Sequence, residues 1–138
     1  MDHIAILNKR WILEKIISGE KEVESRWYTQ RRTPYKNIHK DDNIYFKESG
    51  CPIIAKARVE KTLFFEDLNK DKIKHILKEY GKQIGVDASY ANKVCDKKFC
   101  TLIFLKDVTS ITPFNINKKG YGMMSAWITV QNISTIRN

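Results

Sequence analysis

The sequence predicts an α+β fold in which a curled or closed sheet carries flanking helices and is interrupted by one helical segment. Three observations predict it. Extended runs recur through the first 65 residues and the stretch after residue 98, a strongly helix-periodic segment lies between them, and small inward-facing residues in the longest extended run suit a tight barrel or close packing on a helix. A chain of 138 residues matches one compact domain, taken here as 1–138 with a helical insertion at about 69–97. Hydrophobic residues at 42 %, with only 6 Gly and 3 Pro, exclude the disordered and fibrous classes.

His3 to Leu7 reads as a short strand, and Asn8 stands where a helix over Lys9 to Ser18 needs its N-cap. Ile12 and Ile16, with Leu13 and Ile17 beside them, form the apolar stripe of that helix. Gly19 supplies the left-handed residue at which many helices end. Lys21 to Tyr28 then suits a strand whose alternation places Glu22, Glu24 and Arg26 on one face and Val23, Ser25 and Trp27 on the other. Glu24 and Arg26 can therefore meet, and a structural ion pair explains them as simply as a ligand does.

From Thr29 to Lys40 the chain reads as a loop in which Arg31, Arg32, Lys36 and Lys40 interleave with Tyr28, Tyr35 and His39. Cations neutralise phosphates and aromatic rings stack on bases, so this mixture suits single-stranded nucleic acid. A solvated loop kinked at Pro34 is the competing explanation. Ile44 to Lys47 and Ile53 to Phe64 read as an antiparallel hairpin, with Ala55, Ala57 and Val59 facing inward. Asn69 then caps a helix whose stripe is Ile73, Ile76, Leu77, Tyr80 and Ile84, with Lys70, Lys72, Lys74 and Lys78 turned outward. Gly81 or Gly85 ends it, and Asp87 caps a second short helix.

Phe99 to Leu105 is a continuous apolar run, the pattern of a strand buried on both faces, and Val108 to Thr112 continues it until Pro113 breaks it. The loop from Asn115 to Met123 holds Lys118, Lys119, Gly120, Tyr121 and Gly122, which allow a close backbone approach to phosphate. Ordinary turn chemistry explains its glycines equally well. Ser125 to Val130 resumes as strand, and the residues after Val130 are expected to fray.

Charge is the strongest compositional signal: 25 Lys and Arg face 16 Asp and Glu, giving a formal net charge of +9. That balance attracts polyanions. Residues 1–40 carry 9 basic and 5 acidic groups, 41–68 carry 4 and 6, 69–98 carry 8 and 4, and 99–138 carry 4 and 1. An acidic hairpin thus separates basic regions, although solvated lysines account for the middle one without any ligand. Cys51, Cys95 and Cys100 have no Cys-x-x-Cys spacing, and His3, His39 and His75 have no metal-ligand spacing. No metal and no cofactor is expected. No apolar run approaches the ~18 residues of a spanning helix, and the N-terminus lacks the layout of a signal peptide, so a cytoplasmic protein with no membrane partner is the default expectation.

The densest charge cluster is Gly19-Glu-Lys-Glu-Val-Glu-Ser-Arg26, at the junction of helix and strand. Its spacing, Gly19-x-Lys21-x-x-Glu24-x-Arg26, preceded by Ile-Ile-Ser, resembles the signature of the ASCH domain family. The resemblance implies a PUA-like β-barrel that binds RNA in a cleft beside the signature. Some ASCH members are similar to ribonucleases, and others to amidohydrolases acting on acetylated cytidine derivatives, in which a threonine nucleophile follows the lysine by three positions. This chain carries Glu24 there, and a carboxylate is a poor substitute for an activated hydroxyl in acyl transfer.

The expectation is therefore a module that binds RNA or a nucleotide in a basic cleft. Lys21 and Arg26 would contact phosphate or a base edge, and Glu24 would hold Arg26 or accept from a base. Arg31, Arg32, Lys118 and Lys119 would extend the phosphate track, and Tyr28 and Tyr121, with Trp127, are candidate stacking rings, while alternation puts Trp27 on the packing side. If the chain is instead a small hydrolase of RNA or modified nucleosides, Lys21, Glu24, Arg26 and Tyr28 are its candidate catalytic groups. A protein-interaction domain using the basic face of the 70–84 helix is the second alternative.

Overall fold

A computed structural model describes residues 1–122 and 124–138. In chain order the elements are β1 (Asp2–Leu7), α1 (Arg10–Ser18), β2 (Val23–Tyr28), β3 (Asn43–Glu48), β4 (Ile53–Phe65) and α2 (Lys70–Ile84). A 3₁₀ turn at Ala88–Tyr90 runs into α3 (Ala91–Val94), followed by β5 (Phe99–Phe114), β6 (Trp127–Val130) and a closing 3₁₀ turn at Ile133–Thr135. Six strands form one sheet in the order β2-β5-β4-β3-β1-β6, with β1 parallel to β3 and every other pair antiparallel. Register shifts at Ile53/Ala55, Lys56/Arg58 and Val59/Lys61 kink the long β4–β5 pair and help curl the sheet into a half-barrel.

The strand patterns follow from burial. Ala55, Ala57 and Val59 are fully buried, and their small volume leaves room inside the curl for Leu13 and Ile16 of α1 and for Phe46. On the other side, Ile73, Ile76, Leu77 and Ile84 of α2 cover Val23, Trp27, Leu102 and Phe104, as the helical periodicity predicts. Asn69 caps α2 by accepting from the Lys72 amide at 2.9 Å, and Asp87 accepts from the Ser89 amide at 2.9 Å.

Some expectations change. Asn8 does not cap α1: Lys9 occupies the cap position and no side chain accepts from the first turn. Pro113 does not end β5, which continues to Phe114. Beyond Leu105, whose amide donates to Glu22 O at 3.1 Å, β4 is that strand's one ladder partner among the described residues, and a proline is tolerated at an edge that needs no further ladder bond. Nor does the segment after Val130 fray. Ile133 and Ile136 pack with Ile4, Ile128 and Phe114, the Ile133 amide donates to Asp2 Oδ2 at 2.7 Å, and Arg137 bridges back to Ile116. The apolar pair in Ile133-Ser-Thr-Ile136 supplies burial that a polar tail could not. Met123, the last residue of the expected glycine-containing loop, lies outside the described residues. Among the described residues no helix is long and apolar enough to cross a membrane.

Candidate functional site

Gly19 ends α1 at φ +86°, a backbone conformation that favours glycine, and its amide donates to Ile16 O at 3.2 Å. The Lys21 amide then donates to Lys15 O at 3.0 Å, holding the turn against the helix it leaves. This directs the Lys21 side chain inward, where its ammonium donates to Ile84 O at 2.7 Å. Ile84 is the last residue of α2, whose final carbonyls have no partner within the helix. Lys21 thus places a cation at the negative end of the helix dipole. Neighbouring bonds reinforce the junction, since the Glu22 amide donates to Gln83 O at 2.9 Å.

Glu24 is buried between two cations. Its Oε1 accepts from the Ser25 amide at 2.9 Å and lies 3.7 Å from Lys21 Nζ; its Oε2 lies 3.7 Å from Arg26 Nη2. Oε2 is buried without a hydrogen-bond partner among the described residues. Burial pushes the Lys21 ammonium below its ordinary value, with Glu24 opposing the shift and Arg26 adding to it. Burial likewise raises the Tyr90 hydroxyl, and the Glu24 charge raises it further.

Arg26 explains why the site lies where it does. β2 and β6 are the two edges of the sheet, and no backbone ladder joins them. From β2, Arg26 donates through Nη1 to Ala126 O at 3.2 Å and through Nη2 to Ile6 O at 3.4 Å, while its guanidinium lies 5.2 Å from the Trp127 ring centroid. One side chain bridges the seam that a closed barrel would fill with hydrogen-bonded backbone.

A cleft of about 600 Å³ opens over this triad. Its walls come from the start of α1, β2, the end of α2 and the 3₁₀–α3 segment. Lys9, Lys15, Lys21, Arg26, Lys93 and Lys97 line it against a single carboxylate, Glu24, and Trp11, Trp27, Tyr28 and Tyr90 supply rings. Low-dielectric walls carrying one sign of charge focus the field on an anionic ligand.

Neither the family models nor the curated proteins include a match to the sequence. The fold does have counterparts among solved structures. ASCH from Zymomonas mobilis aligns with a TM-score of 0.72 over 97 % of this chain and 90 % of that one, at 18 % identity. Two single-substitution variants of the same protein each align at 0.73, covering 97 % of this chain and 93 % or 91 % of theirs, at 18 % and 19 % identity. The fold is that of an ASCH domain.

Within this ASCH fold the expected residues separate into groups. Lys21, Glu24, Arg26 and Tyr28 meet in the cleft. Arg32 lies 5.4 Å from the Tyr28 ring and lines an adjoining hollow of about 340 Å³ with Thr33, Ser125 and Trp127. Lys118 donates to Ser125 O at 3.3 Å, one residue from that hollow. Arg31 points elsewhere, 3.5 Å from Glu66 and 5.2 Å from the Tyr35 ring. Lys119 and Tyr121 are exposed on their loop, away from the cleft lining. Tyr35 is core, edge-on to Phe64 at 5.5 Å and Phe99 at 5.2 Å. Trp27 packs 6.3 Å from Tyr90, and Trp127 donates its indole N–H to His3 Nδ1 at 3.3 Å.

Sequence reasoning missed Trp11, Tyr90, Lys93 and Lys97. For Trp11 a signal existed: it sits off the apolar stripe of α1, is 55 % exposed, and has Lys15 at 5.3 Å from its ring. The other three lie 64 or more residues beyond Arg26, and only the fold joins them to it. Among the described residues no group of three His, Cys, Asp or Glu could hold a metal ion.

Proposed function

We propose that this ASCH-fold chain binds RNA or a nucleotide in the cleft over Lys21, Glu24 and Arg26. One observation carries the proposal: six cations and four aromatic rings surround a single buried carboxylate in one concave site. Lys9, Lys15, Lys93 and Lys97 on the rim neutralise phosphates, and Trp11 offers an exposed face for a base. Lys21 and Arg26 flank Glu24, each with a bond to a backbone carbonyl. The likeness to ASCH from Zymomonas mobilis and the chain's +9 net charge both support a polyanionic partner. Glu24 occupies the position of the threonine nucleophile in the amidohydrolase pattern. Clamped between Lys21, Arg26 and the Ser25 amide, it is built to hold rather than to attack.

Fluorescence anisotropy with a labelled single-stranded oligoribonucleotide across a salt series tests this reading. Binding should weaken steeply with salt, and each of Lys93→Gln and Lys97→Gln should reduce the log–log slope by about 0.7. Lys74→Gln, on the outer face of α2, should leave the slope unchanged. Absent or salt-insensitive binding would sink the proposal.

A further inference from the structure

Among the described residues, Glu24 Oε2 is an acceptor without a donor. It is buried in a cleft wall, so a ligand reaches it only as the side chains over it give way, and Arg26 Nη2 stands at 3.7 Å, beyond hydrogen-bond length. The other carboxylate oxygen is already engaged by the Ser25 amide at 2.9 Å. A fold that tied Glu24 down solely as a counter-ion for Arg26 would bring the pair to contact, because a buried charge is stable only when its lone pairs are met. Arg26 is instead held back by the carbonyls of Ala126 and Ile6.

A phosphodiester has no hydrogen to give and a phosphomonoester, with a second pKa of about 6, is mostly deprotonated at neutral pH, so the anionic part of a ligand is a poor partner for this oxygen. Resting on the nucleotide reading of the cleft, we infer that Glu24 Oε2 accepts from the amino group of a bound cytosine or adenine, N4 or N6. The site then takes cytosine or adenine and rejects bases with a carbonyl at the same place. A carboxylate is the natural acceptor for a base amino group, as in its pairing with cytosine N4. Uracil and hypoxanthine would present an oxygen to an oxygen, leaving both groups unpaired in a buried site. The Arg26 guanidinium beside Oε2 matches the acceptor nitrogen that adjoins the amino group in both accepted bases.

Matched pairs of nucleoside monophosphates test this with the 138-residue chain, because each pair shares its ribose and phosphate. Calorimetry should show CMP binding at least about tenfold more tightly than UMP, and AMP than IMP, the discrimination expected from one buried hydrogen bond to a charged group. Glu24→Gln presents an amide in place of the carboxylate and should abolish both preferences. If that variant does not fold, Glu24→Asp, which withdraws the oxygens by one methylene, takes its place. Equal affinities within each wild-type pair would overturn the inference and assign Oε2 to a ribose hydroxyl. A preference that survives in a folded Glu24→Gln protein would overturn it as well. If all four monophosphates fail to bind while salt-dependent RNA binding persists, the base assignment falls and the RNA reading stands. If RNA also fails to bind, both fall.

Discussion

The ammonium of Lys21 donates to the carbonyl of Ile84 at 2.7 Å, joining a turn near the N-terminus to the end of a helix 63 residues further along the chain. This bond makes the α2–α3 segment part of the site. It adds a charged tie to the Glu22 amide bond with Gln83 O and to the packing of Trp27 on Tyr90, which together hold this segment against β2.

Lys21→Met keeps the volume and removes the charge. Ile84 O then loses its donor and Glu24 keeps only Arg26, so the variant should lose about 2 kcal/mol in urea denaturation. Combining it with Glu24→Gln should cost less than the sum of the two single changes, because each removes the reason for the other. Strict additivity would show that the pair is not coupled.

The turns that aim these groups rest on left-handed glycines. A Cβ added at Gly19 or Gly85 meets nothing within 4 Å, so the cost of alanine there is backbone strain alone. Each substitution should lower stability by about 1 kcal/mol, with asparagine milder than alanine at either place. A neutral Gly19→Ala would mean that the turn is not held in this conformation.

Arg26→Lys retains the charge while losing the planar fork that reaches two carbonyls and stacks on Trp127. The seam between β2 and β6 should loosen, with a stability loss of about 1–2 kcal/mol and a shift of the Trp127 indole N–H resonance. An unchanged indole resonance would show that Arg26 does not close the sheet.

Acid should weaken the fold through His3. Its ring is buried, with Nε2 2.8 Å from Asp42 Oδ2 and Nδ1 2.9 Å from Thr129 Oγ1 and 3.3 Å from the Trp127 indole nitrogen, and burial favours its neutral form. Burial lowers its pKa from the ordinary 6.5, against the opposing pull of Asp42. The unfolded chain therefore binds a proton first, and stability falls as pH drops below about 6.5 toward the lower folded value. Asp42 adds a second loss at more acid pH. Burial acts to raise its pKa, but bonds from His3 and the His39 amide outweigh it and hold the carboxyl below 3.8. Its contribution is present above that value and disappears as pH falls through the folded one. Urea midpoints measured from about pH 7.5 to about pH 5 should decline, and the slope should flatten in His3→Gln; a flat wild-type profile would contradict the neutral His3.

Local rules made much of the fold legible. Asn69, the Ile73–Ile84 stripe and the inward Ala55, Ala57 and Val59 each express a period or a cap that a single segment contains. Gly19, Lys21, Glu24 and Arg26 were legible as a cluster because they share one turn and one strand. The burial of Lys21 was not, because its acceptor is a backbone carbonyl that carries no residue-type signal. Tyr90, Lys93 and Lys97 look like an ordinary solvated helical segment until α2 turns them toward β2. Pro113 and the Ile133–Ile136 tail misled for the same reason: whether a strand edge is free, or an apolar pair has a surface to cover, depends on elements distant in sequence.

The central claim is that the ligand, the Gly19–Arg26 stretch and the α2–α3 segment share one cleft, and amide chemical-shift mapping tests it most directly. Titrating a short single-stranded RNA into the labelled chain should move the resonances of residues 8–15, 19–28 and 84–97 together. Shifts confined to the outer face of α2 or to the 118–122 loop, with Glu24, Tyr90 and Lys93 unmoved, would contradict it.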